Sequence, residues 1–135
     1  MTANTSPIYT KTPNHGFGVV ATANTAMDGT GTVVTVFTAG ASGSYVSEIV
    51  FKFAGSSVAT VARIFENNGS STSVAANNSL VMEQQLPNVT ASNSTPQPDI
   101  VVPVNRTLPA GYKLTVAIGT TVASNIAITV LGGDY

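Results

Sequence analysis

Apolar and polar residues alternate one by one along most of this chain, and a period of two is the mark of a strand with one buried face. From Val46 to Ala54 the pattern sets Ile49, Phe51 and Phe53 on one side against Glu48 and Lys52 on the other, so only the phenylalanine side is expected in the core. Tyr112 to Ile118 repeats the pattern with Tyr112, Leu114, Val116 and Ile118 against Lys113, Thr115 and Ala117. Ile126 to Leu131 repeats it again with Ile126, Ile128 and Val130 facing inward. Further strands are expected over Gly18 to Ala23, Thr32 to Thr38, Val58 to Glu66 and Ile100 to Val104, and over Ser79 to Gln85, which also suits a short helix but which flanking Asn residues and Pro87 favour as strand. In Ile100 to Val104, Pro103 removes a backbone donor and confines the strand to an edge or a strand end.

Turn signals separate these runs. Asp28-Gly29-Thr30-Gly31, Gly55-Ser56-Ser57 and Asn67-Asn68-Gly69 each place glycine, or a side chain that bonds its own backbone, between two apolar stretches. Asn88 to Pro98 is a longer polar connection. Gly16-Phe17-Gly18 and Gly29-Thr30-Gly31 lack the following helix that a phosphate-binding loop requires, and both read as turns. About eight strands with no room for crossover helices imply an all-β fold, a single antiparallel β-sandwich. A jelly roll is the natural eight-stranded form, and an immunoglobulin-like or other Greek-key sandwich fits nearly as well. Residues 1–16, polar and carrying Pro7, Pro13 and Gly16, form an extended N-terminal arm, and residues 17–135 form the sandwich domain.

Composition sharpens this picture. Only 8% of the 135 residues are charged, against roughly 25% in an ordinary soluble domain. Polarity comes instead from Thr, Ser and Asn, which suit strands and turns better than helix surfaces. A net charge of -1, with Lys11, Lys52, Arg63, Arg106 and Lys113 scattered singly, provides no field to hold nucleic acid. So little charge also removes the usual electrostatic guard against association, which favours a protein that meets a partner. The absence of cysteine excludes disulfides and thiolate chemistry. With no signal-peptide pattern and no apolar run of about 18 residues, synthesis in a cytoplasm and no membrane insertion are expected.

Candidate chemistry is sparse. His15 is the only histidine, with no carboxylate near it in sequence, and a turn or interface role suits it better than metal or base chemistry. Acid pairs would have to come from Asp28, Glu48, Glu66, Glu83, Asp99 and Asp134, which solvated strand faces and turns explain. Asp28 beside Gly29, or Asp99 near Asn93, are the positions from which a loop could bind calcium. No cofactor, metal or catalytic residue is assigned, and the chain is expected not to be an enzyme.

Four segments carry a resemblance to small virion proteins of tailed phages. These are Asn4-Thr5-Ser6-Pro7-Ile8-Tyr9, Thr38-Ala39-Gly40-Ala41-Ser42-Gly43-Ser44, Leu108-Pro109-Ala110-Gly111-Tyr112 and Gly132-Gly133-Asp134-Tyr135. That family is mostly described as head decoration, cement or tail-associated proteins. The resemblance implies a non-catalytic protein of the virion, made in the bacterial host, that sits on the major capsid protein as a homotrimer. A tail location, or a carbohydrate- or host-receptor-binding module on the same sandwich, is the alternative. The expected interface residues are Ile8, Tyr9, Pro13 and His15 in the arm and Asp134 and Tyr135 at the C-terminus, with Ile8 and Tyr9 as the arm's sizeable apolar anchors. The second strand faces, where Val50 lies beside Glu48 and Lys52, stay partly apolar and call for a partner.

Overall fold

The alternation read along the chain becomes two packed sheets in a computed structural model that describes residues 9–135. Eight strands follow in order: β1 Thr12–Val20, β2 Val34–Thr38, β3 Ser44–Phe53, β4 Thr60–Asn67, β5 Asn78–Leu86, β6 Ile100–Leu108, β7 Lys113–Ile118 and β8 Ile126–Asp134. The one helical element among the described residues is a single 3-10 turn, Ala75–Asn77. Sheet A has the order β1-β8-β3-β6 and sheet B the order β2-β7-β4-β5, and every pairing between neighbouring strands is antiparallel. The fold is an all-β sandwich. The pairs β1·β8, β2·β7, β3·β6 and β4·β5 nest inside one another, as in a single long hairpin wound upon itself.

The core lies between the sheets where the alternation placed it. Ile49, Phe51 and Phe53 of β3, Leu114, Val116 and Ile118 of β7, and Ile126, Ile128 and Val130 of β8 are all buried. Each such side chain removed from water contributes about 1.5–3 kcal/mol, which is the main force holding the two sheets together. Leu86, Leu108 and Val122 close the ends of the same cluster. Turn chemistry matches the turn signals, since Gly29, Gly69 and Gly111 all adopt positive φ.

Three expectations are revised. β1 starts at Thr12, so Pro13, Asn14, His15 and Gly16, which had been placed in the arm, are paired with β8 from Thr12↔Asp134 onward. Gly16-Phe17-Gly18 is not a turn but the middle of this strand. Here the glycines permit a close approach at the edge where the sheets meet. A Cβ on Gly16 would land on the Val36 carbonyl oxygen, and one on Gly18 would come within 2.8–2.9 Å of the Val34 and Val36 side chains. The strand at Ile126 also runs on through Gly132 and Gly133 to Asp134 instead of ending at Leu131. Pro103 lies in β6, an outer strand of sheet A, as its missing donor requires.

The two outer faces differ. On sheet B, Phe65, Thr115 and Ala117 point away from the core and are nonetheless fully buried. The connection between β1 and β2 crosses over them. Ala23 bridges to Ile118, the Arg63 guanidinium reaches the Asn24 carbonyl at 3.5 Å, and Gly29 lodges against Asn78. Sheet A has no such cover among the described residues.

Candidate functional site: the joined termini and the bare face of sheet A

Strand pairing brings the two ends of the described chain together at one end of sheet A. Asp134 sits at the centre of this junction. Its Oδ1 accepts hydrogen bonds from the Asn14 amide at 2.8 Å and from the Ser44 hydroxyl. Asn14 Nδ2 also donates to the Thr38 carbonyl at 3.1 Å, and Gly40 N donates to Ser44 Oγ at 2.9 Å. The network thereby ties β1, β8 and β3 of sheet A to the end of β2 in sheet B. Donation from Ser44 first, then from Asn14 and the Gly40 backbone, holds the Asp134 carboxyl below the ordinary carboxylate value, because each bond favours the ionised form. Glycine at position 40 is required by the contact, since a Cβ there would lie 2.5 Å from Asp134 Oδ2.

Tyr135 follows β8. Its N–H donates to the Gly43 carbonyl at 3.2 Å, and its hydroxyl lies 3.2 Å from Thr107 Oγ1. Tyr9 is 75% exposed, while Ile8 lies outside the described residues. Pro13 and His15 belong to β1 and point outward in one row with Phe17 and Val19. Of the six expected interface residues, then, the structure gathers Pro13, His15, Asp134 and Tyr135 on the paired strands β1 and β8 or directly beyond them. It engages Asp134 internally and leaves Tyr9 and His15 exposed.

The outward row of β1 continues across the whole sheet. Register places Phe17 beside Thr129, Thr129 beside Val50, and Val50 beside Val101, one residue from each strand on the same outer face. Val19, Ala127 and Lys52 form the next row, and His15, Leu131, Glu48 and Pro103 the row on the other side. Phe17 is 73% exposed, Val19 56% and Val101 49%, three of the four exposed large hydrophobic residues that lie in the described strands. Alternation had already marked Val50. What it could not show was that Phe17, Val19, Val101 and Leu131 would join it, because neighbours across a sheet are far apart in sequence.

Asp28 Oδ1 accepts from the Thr30 hydroxyl at 2.6 Å and from the Thr30 N–H at 3.0 Å, which lowers its carboxyl below the usual range and closes the turn. Glu66 pairs with Arg106 at 3.1 Å, Glu83 with Arg63 at 3.1 Å, and Asp99 with Lys52. Glu48 is half-buried on the bare face and has no ion pair among the described residues. No three His, Asp or Glu side chains come together in a metal-binding group among the described residues. At the opposite edge of the sandwich, a cleft of about 260 Å³ is lined by Glu66, Arg106, Tyr112, Asn68 and Asn77 among others.

Comparison with family models, with curated proteins and with solved structures finds no match to this chain.

Proposed function

We propose that this protein is a structural component of a tailed-phage virion that decorates and stabilises the capsid, a cement protein with no catalytic role. The observation that carries the proposal is the bare apolar face of sheet A, crossed by Phe17, Val19, Val50 and Val101 and meeting the joined termini at its end. Exposed apolar residues gathered on one face of a weakly charged domain support a surface that is covered by a partner. The nested strand pairs add support, because winding a long hairpin in this order generates a jelly roll, an architecture common in virion shells. The major capsid protein is the proposed partner. Tyr9 and the arm before it are the proposed tether, and the protein's location is the virion.

Mass spectrometry of purified particles of the encoding phage provides the test. Hundreds of copies per particle are expected. A handful of copies would place the protein at a vertex or tail tip and overturn the decoration reading.

A second reading draws on the cleft between β5 and β6. There Tyr112 provides a ring, and Glu66 and Arg106 provide acceptors and donors, as a saccharide or host receptor would need. Glycan-array binding that is lost in Glu66→Ala and Arg106→Ala would favour this reading over the first.

A further inference from the structure

Sheet B is covered on its outer side by the chain's own β1–β2 connection, whereas the outer side of sheet A, exposed along β1 and β6 and half-buried along β8 and at Glu48 and Val50 of β3, has nothing laid across it among the described residues. The charges on this face are arranged in a particular way. On β3, Glu48 and Lys52 flank Val50 at equal spacing, two residues to either side and on the same face. Glu48 has no ion pair among the described residues, and Lys52 reaches Asp99 and, at 3.0 Å, the Gln97 carbonyl at the rim.

Resting on the assembly reading above, we propose that a second copy of this chain covers the outer face of sheet A. The two copies pack sheet to sheet about a two-fold axis that runs along the row Phe17, Thr129, Val50 and Val101. Rotation by half a turn about that line lays each strand over its own counterpart in the reverse direction. Val50 then meets Val50 of the second copy, Leu131 meets Ala127, and Glu48 meets Lys52 in both directions. The face is therefore complementary to itself in charge, which is what an isologous contact requires. The usual rotation of about 30° between packed sheets stays within reach of the long Lys52 and Glu48 side chains.

Size agrees. Strands spaced at about 4.8 Å and rising about 3.3 Å per residue give four strands of nine or ten residues a projected face of roughly 19 by 30 Å. That is roughly 570 Å² before the relief of the side chains is added, close to the ~800 Å² per partner of a standard stable interface. With a net charge of only -1, nothing at long range drives two copies apart. Such a contact closes at two. The trimer expected from the sequence would need a different contact elsewhere on the molecule.

The proposal is tested by sedimentation of the full chain and of the variants Glu48→Lys and Lys52→Glu, each checked for native circular dichroism and melting. Wild type should be dimeric at micromolar concentration, and each variant alone should dissociate at least tenfold more readily because like charges meet across the axis. Mixing the two variants should restore association, since the copy carrying lysine at both positions then faces the copy carrying glutamate at both. Val50→Arg, at the centre, should produce monomers.

A monomeric wild type would overturn the proposal. So would a trimer indifferent to all three variants, or folded variants that stay apart when mixed. If the wild type is monomeric and Val50→Arg abolishes capsid binding, the face belongs to the capsid instead, which leaves the decoration reading standing. A two-fold dimer that never enters particles would reverse that outcome.

Discussion

Thr115 Oγ1 is buried and has no hydrogen-bond partner among the described residues, on the outer side of sheet B beneath the β1–β2 connection. A buried hydroxyl without a partner forfeits its hydration, so the isosteric Thr115→Val should raise stability by about 1 kcal/mol, measured by urea unfolding. Asp134 illustrates the opposite case, a polar group whose partners are all in place. Its carboxyl is lowered from 3.8 in the folded protein, so its contribution is complete above the unfolded value and is lost as pH falls through the lower, folded one. Asp134→Asn should therefore melt below wild type at pH 7, and the gap should narrow steadily as pH is lowered below 3.8. A gap that persists in acid would mean that packing, not charge, is what Asp134 provides. Gly16 is a third kind of position, governed by space alone. Gly16→Ala puts a methyl on the Val36 carbonyl and should cost about 3 kcal/mol, measured by urea unfolding.

At the scale of elements, the first strand is where the sequence reading and the structure part most clearly. Prolines, glycines and polar residues through Gly16 describe an arm when only local preference is weighed, and Pro13 is indeed a poor residue for a central strand. β1 is an edge strand, however, and β8 supplies its partner from the far end of the chain, over a separation that no local rule can sense. Truncation should distinguish the two descriptions. Removing residues 2–9 leaves β1 whole and should change stability little, whereas removing residues 2–14 also takes the Asn14 bonds to Asp134 and Thr38 and should cost about 1–3 kcal/mol. Equal melting temperatures for the two truncations would show that β1 contributes nothing before His15. Strands β3, β7 and β8, by contrast, were legible from alternation alone, because each has one face in the core and one away from it. Even there the alternation misjudges sheet B, where Thr115 and Ala117 are buried by a loop and not by the core.

For the molecule as a whole, the nested pairing of β1 with β8 and β2 with β7 means that the first and last parts of the chain must meet before either sheet is complete. Closing such long loops precedes the reward of the contacts they allow, so refolding in stopped flow should occur in milliseconds to seconds. A microsecond phase accounting for the full amplitude would be inconsistent with this topology. Sequence by itself determined that the chain is all β, where most strands lie, which glycines turn the chain and which side chains of β3, β7 and β8 enter the core. Those properties depend on period-two alternation and on backbone preferences acting over a few residues. Only the tertiary structure decided which strands are neighbours, that β1 is tied to β8 through Asp134, that one outer face is covered by a loop, and that Phe17, Val50 and Val101 form one row on the other. Hydrogen bonding between strands is indifferent to separation along the chain. A surface assembled from four distant strands therefore exists only after the chain has folded.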